Sequence, residues 1–143
     1  MIKVLYGPPG AGKTTLAHSM MQRGDILLDL DELFKAVAPK DNPLFKQAPA
    51  FDLAWGLMMR GIQFARATDS ARVYVVTTMA PADLCRVAAV RDLDDAEILV
   101  VATKRAECER RMGHLPNAGE LRIAIRRWWE EYEAKPGWVE VTR

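Results

Sequence analysis

The segment Gly7-Pro8-Pro9-Gly10-Ala11-Gly12-Lys13-Thr14 satisfies GxxxxGK[ST] at every fixed position. It stands between a short apolar run, "IKVLY", and the helix-forming "KTTLAHSMMQR". Strand, glycine turn and helix in succession are the context in which this pattern holds a polyphosphate. The glycines admit backbone conformations denied to larger residues, so successive N–H groups can surround phosphate oxygens at the positive end of the helix. Lys13 is expected to reach the β- and γ-phosphates, Thr14 to offer its hydroxyl to Mg²⁺, and Thr15 to meet the α-phosphate. No N/TKxD-like segment for reading guanine follows, so ATP is the expected nucleotide. The loop does not choose a reaction, because transferases and hydrolases share it.

A second group lies in "ILLDLDELF", where Asp29 and Asp31 follow an apolar run. Residues i and i+2 point to opposite faces of a continuing strand, but at a strand-to-helix turn both can swing beyond the sheet edge. Open α/β sheets bind ligands at that edge. Phosphoryl transfer needs charge neutralised and a nucleophile oriented, and carboxylates suit the second task. The competing role for Asp31 is to cap the helix "ELFKAV", which is worth ~1 kcal/mol. Glu32 suits the first helical turn, where the dipole favours an acid. His18 and His114 are isolated, as are Cys85 and Cys108, which have no CxxC spacing and suit reduced thiols.

The elements that must position these groups follow from the apolar pattern. The runs "IKVLY", "ILLDL", "RVYVVTT", "EILVVAT" and "GWVEVT" do not alternate, which suits strands buried on both faces. Segments with helical spacing separate them. Gly24 and Asp25 end the first helix, and "DELFKAV" makes a short second one. Pro39, Pro43 and Pro49 argue for a loop through "APKDNPLFKQAPAF". Asp52 is expected to cap a helix reaching about Ala67, whose Trp55 and Met58 suit core packing. Further helices are expected near 82–90, over "KRAECERRM", and over about 120–133 before Pro136-Gly137. Trp128, Trp129 and Trp138 then pack the last helix and strand. This alternation gives an α/β three-layer sandwich with a mainly parallel sheet, one domain over residues 1–143.

Composition narrows the class. The 143 residues are half hydrophobic, with a formal charge of +1, so no global field draws the chain to nucleic acid or to a membrane surface. The apolar runs fall short of the ~18 residues of a membrane span. Met1 leads straight into the first strand, and a soluble, cytoplasmic protein is expected.

The phosphate loop, the "DLD" after the second strand, the Thr, Cys and Arg of "ATKRAECERRM", and the closing helix and strand together resemble the small P-loop kinases. The likeness is to the branch holding shikimate, gluconate and polynucleotide 5′-hydroxyl kinases. It implies a five-stranded P-loop NTPase sheet ordered 2-3-1-4-5 and transfer of the ATP γ-phosphoryl group. By position, Asp31 matches the carboxylate that takes the proton of an acceptor hydroxyl, and Asp29 one that helps hold Mg²⁺. Arg111 matches the arginine set against adenine or the phosphates. Arg86 falls where polynucleotide-kinase-like members place an arginine near the acceptor, with Arg60 a further acceptor-side candidate. The lid is a short one around 112–121. Polynucleotide-kinase-like members end the third strand in an acid; Thr77 and Thr78 stand there instead, which moves the metal role onto Asp29.

Motor ATPases of the AAA+ type put an acidic pair at the end of a later strand, and the ends "VVTTMAP" and "VVATKRA" carry none. They are also longer, with a helical lid domain. The expectation is an ATP- and Mg²⁺-dependent phosphotransferase with a hydroxyl acceptor: a nucleic acid 5′ end, a nucleoside or another small metabolite. The rival is an ATP-binding module that controls a protein partner without a phosphoryl acceptor.

Overall fold

A computed structural model describes residues 1–41, 49–91, 93 and 95–143. In chain order these form β1 (Ile2–Tyr6), α1 (Lys13–Met20), β2 (Ile26–Asp29), α2 (Leu30–Val37), α3 (Pro49–Ala67), β3 (Val73–Thr77), α4 (Pro81–Ala88), β4 (Glu97–Val101), α5 (Arg105–Met112), α6 (Ala118–Glu131) and β5 (Val139–Val141). The sheet runs β2-β3-β1-β4-β5, and every pairing is parallel. This is the order expected of a P-loop NTPase.

The unbroken apolar runs are explained by two cores. On one face Val4, Val75 and Val100 pack with Met58 and Ile62 of α3, Leu84 of α4 and Trp128 of α6. On the other, Leu5, Tyr74, Val76 and Val101 meet Ala17 of α1, Cys108 of α5 and Ile125 of α6. Strand residues alternate between the faces while both faces stay dry, hence no polar alternation. Cys85 and Cys108 are buried and form no disulfide. No helix among the described residues is long and apolar enough to cross a membrane.

Three local expectations need correction. Helix α3 begins at Pro49 rather than after a cap at Asp52. Proline needs no N–H partner in a first turn, and Asp52 instead complements the dipole there. Of the expected loop over 38–51, residues 42–48 lie outside the described residues. Helix α2 begins at Leu30, so its cap is Asp29, whose side chain accepts from the Asp31 backbone N–H. Asp31 is a first-turn residue and not the cap. The apolar surface of α3 is also only half used: Met58 and Ile62 are buried, whereas Leu53, Leu57 and Phe64 are exposed.

The aromatic residues after β4 pack as expected. Trp128 lies 5.1 Å from Tyr6 and stacks on Tyr132 at 4.7 Å, and Trp138 meets the edge of Tyr6. They pack with the core on one face of the sheet and do not line the cleft described next.

Candidate active site

The phosphate loop leaves the C-terminal end of β1, the central strand, and turns directly into α1. The Gly7 N–H donates to the Thr77 carbonyl at 3.2 Å, which ties the loop to the end of β3. A Cβ at Gly7 would sit 2.6 Å from the Val101 carbonyl oxygen, so the close approach of β4 requires glycine. Gly12 has φ +91°, a left-handed conformation that places its carbonyl to start α1, where it accepts from Leu16. Helix α1 has no side-chain cap and no acid in its first turn. Its leading N–H groups are therefore left for an anion.

Lys13 is buried and folds back along the loop, donating to the carbonyls of Gly7 at 2.9 Å and Pro8 at 2.6 Å. Burial lowers its pKa to about 8, against the opposing pull of Asp29 and Asp31. An anion placed in the loop would oppose that burial cost.

Asp29 and Asp31 occupy the strand-to-helix turn beyond β2, as the resemblance implied. Asp29 is buried, and one of its oxygens accepts from the Thr14 hydroxyl at 2.5 Å. Its other oxygen caps α2. Two hard oxygen donors in contact beside a phosphate cradle fit Mg²⁺, which takes one or two carboxylates and fills its remaining positions with phosphate and water. No group of three or more His, Cys, Asp or Glu that could hold a metal ion stands among the described residues, at this site or another.

Asp31 opens onto the adjoining cleft. Crowding by the cleft walls, then the like charge of Asp29, raises its pKa above the ordinary carboxylate value, with Lys13 opposing. The residue retains access to solvent, which screens these interactions. Thr77, at the end of β3, turns its hydroxyl onto Met79, accepting from its N–H at 2.9 Å and donating to its carbonyl at 3.2 Å. It is not set to polarise water.

The cleft has a volume of ≈ 730 Å³ and runs from the phosphate loop past Asp29 and Asp31 to α3, α4 and the start of α6. Trp55 and Met58 line it, a role that the helical apolar pattern of α3 did not separate from core packing. Phe51 and Trp55 at i, i+4, next to a proline-bounded helix start, are the signal that could have drawn attention to it. The segment expected to form a lid, 112–121, spans the connection between α5 and α6 and the start of α6; Leu115, Asn117 and Glu120 from this region also line the cleft.

The arginines separate from one another. Arg111 lies beside the loop: it donates to the Gly10 carbonyl at 3.1 Å, to the Arg143 carbonyl at 3.1 Å and to Glu107 at 3.0 Å. With Gly12, Thr15 and Arg143 it lines a smaller hollow of ≈ 480 Å³ that shares Gly10, Gly12, Thr15 and Met112 with the cleft. Arg86 is exposed and paired with Asp83 at 2.9 Å, and Arg60 is exposed on α3. Neither lines the cleft, because each stands on the solvent side of its helix. Part of the basic stretch after Lys104 is paired along its own helices, through Arg105–Glu109, Arg110–Glu107 and Arg126–Glu130. Its bonds to Arg110 and Arg111 lower the Glu107 pKa to about 2. His18 and His114 are exposed and outside the cleft.

A model of the AAA domain family matches residues 2–124, from β1 into α6. The chain belongs to the AAA domain family. None of the curated proteins matches it in sequence. Among solved structures, a sugar kinase from Janibacter sp. HTCC2649 is 16% identical with a TM-score of 0.58, over 99% of this chain and 83% of that one. A gluconokinase from Sinorhizobium meliloti 1021 is 14% identical with a TM-score of 0.57, over 98% and 81%. A tunicamycin resistance protein from Deinococcus radiodurans is 15% identical with a TM-score of 0.54, over 99% and 84%. At these identities the likeness is one of fold. The small P-loop kinase fold that the sequence resembles is therefore the one found. Within the AAA domain family this chain departs from the motor pattern at two strand ends, where Thr77 and Thr103 are buried and no carboxylate stands.

Proposed function

We propose that this protein is an ATP- and Mg²⁺-dependent phosphotransferase that moves the γ-phosphoryl group of ATP to a hydroxyl of a small molecule. One observation carries the reading: the phosphate loop and the Thr14–Asp29 pair open directly into a cleft large enough for a second substrate, with Asp31 at the junction. A nucleotidase needs a place for water; this site has room for an acceptor.

In this reading the loop N–H groups and Lys13 hold the β- and γ-phosphates and offset the charge that spreads over the transferring group. Thr14 and Asp29 hold Mg²⁺, which when bound supplies further neutralisation of phosphate charge. Asp31 accepts a hydrogen bond from the acceptor hydroxyl, aims its oxygen at the γ-phosphorus and takes up the proton as the new bond forms. A carboxylate with a raised pKa is better suited to that uptake than an ordinary one. Arg111 braces the loop through its bond to the Gly10 carbonyl. Two features favour a small acceptor over a nucleic acid strand: the pairing of Arg105, Arg110 and Arg126 along α5 and α6, and the absence of an arginine from the described lining of the cleft.

Incubation with γ-labelled ATP, Mg²⁺ and pools of sugars, nucleosides and amino alcohols tests the reading. A labelled small-molecule product is expected. Tight ATP binding without any labelled acceptor would replace it by the module that controls a protein partner.

A further inference from the structure

The far end of the cleft differs in chemistry from the phosphate end. Its wall on α3 carries Phe51 and Trp55, whose rings are 6.4 Å apart between centroids and only 14° from parallel. Met58 and Leu84 continue this wall, and Leu121 faces it from α6. An apolar surface with one broad indole plate suits a flat or hydrocarbon body rather than an open polyol.

Charge on the same lining is one-sided. Asp31, Asp41 and Glu120 face the cleft beyond the phosphate loop, and among the described residues Lys35 is the one cation there. Lys35 is itself paired with Glu32 at 3.5 Å. The arginines that could have received a carboxylate or phosphate on the acceptor, Arg60 and Arg86, stand outside. An anionic acceptor would meet like charge without a fixed counter-ion among the described residues, at a cost that low-dielectric walls increase. A cationic amine would meet three carboxylates and an indole face. Asn117 lines the cleft as well, and its side-chain oxygen is buried with no hydrogen-bond partner. An acceptor-only atom of that kind is matched by an N–H or O–H donor on the bound molecule.

We infer that the phosphoryl acceptor is a hydroxyl compound with an aromatic or otherwise apolar body and no negative charge, preferentially one bearing a protonated amine: an aromatic amino alcohol in chemical class. The inference rests on the phosphotransferase reading and gives its acceptor site an occupant. The apolar body lies against Trp55 and Phe51, the amine faces Glu120 and Asp41, and the hydroxyl reaches Asp31. In the transfer the hydroxyl oxygen bonds to the γ-phosphorus. The bond from that phosphorus to the β–γ bridging oxygen breaks, the proton passes to Asp31 and then to solvent, and ADP leaves with the bridging oxygen.

The test uses the full chain and four hydroxyl compounds of similar size: an aromatic amino alcohol, its uncharged aromatic counterpart, a neutral sugar and an aromatic hydroxy acid. Transfer from γ-labelled ATP gives kcat/KM, and quenching of tryptophan fluorescence in the ADP-loaded protein gives binding without turnover. The amino alcohol should exceed the hydroxy acid by roughly tenfold or more in both readouts, and the uncharged aromatic should exceed the sugar. Glu120→Gln, at an exposed position, should narrow the first ratio, and Trp55→Phe the second, with ATP affinity unchanged in both. Faster transfer to the sugar or the hydroxy acid would overturn the acceptor class while leaving the phosphotransferase intact. Binding of the amino alcohol with no transfer to any compound would sink the phosphotransferase reading, and the acceptor role with it. Ratios unmoved by either substitution would show that these walls do not select the acceptor.

Discussion

At the phosphate end of the cleft the backbone makes the site, and at the acceptor end side chains from separate elements make it. The loop between β1 and α1 presents N–H groups fixed by two glycine requirements, a close approach at Gly7 and a left-handed turn at Gly12. The opposite end is assembled from Asp31 on α2, Trp55 on α3, Leu84 on α4 and Glu120 on α6. One end recognises what every nucleoside triphosphate shares. The other can vary at Asp31, Trp55 and Glu120 with little cost to the sheet, because these residues are not buried in the core, whereas Leu84 is shared with it. A single fold can thus keep its donor and change its acceptor.

The contrast can be broken most severely at Lys13. Lys13→Ala removes the ammonium to which the proposed function assigns both nucleotide binding and charge neutralisation. It should lower kcat/KM for ATP by on the order of 10³-fold, while acceptor binding persists. Equilibrium binding of each substrate alone, alongside turnover, checks this. Loss of acceptor binding as well would mean that the two ends are not separable.

Asp29→Asn should have the next largest effect. It keeps the cap acceptor of α2 yet weakens the hard-oxygen pair with Thr14, so the Mg²⁺ concentration needed for half-maximal activity should rise about 10- to 100-fold. A magnesium titration of turnover reads this directly, and helicity by circular dichroism should be unchanged.

Acidity sharpens the comparison further. Lys13 begins to lose its proton near pH 8 instead of its usual 10.5. Bound phosphate favours the charged form, so ATP affinity should be level below pH 8 and fall by up to about tenfold per unit above it. The nucleotide-free protein should follow the opposite sign. Between about 8 and 10.5 the unfolded chain keeps this proton while the folded one gives it up, so the Lys13 contribution to stability becomes more favourable as pH rises. ATP titrations at several pH values test the first statement. Chemical denaturation of wild type against Lys13→Met tests the second. The smallest effect is expected at Arg86: Arg86→Ala breaks only an exposed pair with Asp83 and should change kcat/KM less than about twofold.

The two ends also differ in how far they were legible in the sequence. The loop, the carboxylate pair at the end of β2 and the α/β sheet could be read because each depends on local spacing: GxxxxGKT, "DLD", and five apolar runs between helical segments. Helix starts were less legible. Pro49 and Asp52 are both good first-turn residues, and Asp29 and Asp31 are both good caps, so only tertiary position separates them. The acceptor wall was least legible. Trp55 has the spacing of a core residue, and along the chain only its i, i+4 relation to Phe51 beside Pro49 hints that this face of α3 turns to the cleft. Arg86 has the spacing after β3 that the resemblance implied, yet it and Arg60 are exposed and stand outside the described lining of the cleft, because spacing along the chain does not fix helix rotation.

The most direct test of the central claim is Asp31→Asn, measured by transfer of label from γ-labelled ATP and by ATP affinity on the same preparation. The substitution keeps the size of the side chain and the cap formed by Asp29, and removes the ability to take a proton. Transfer should fall about 10²- to 10⁴-fold with ATP affinity preserved within a few-fold, and the acid limb of kcat/KM against pH should disappear. Unchanged transfer in this variant would contradict the role given to Asp31, and with it the reading of the cleft as an acceptor site.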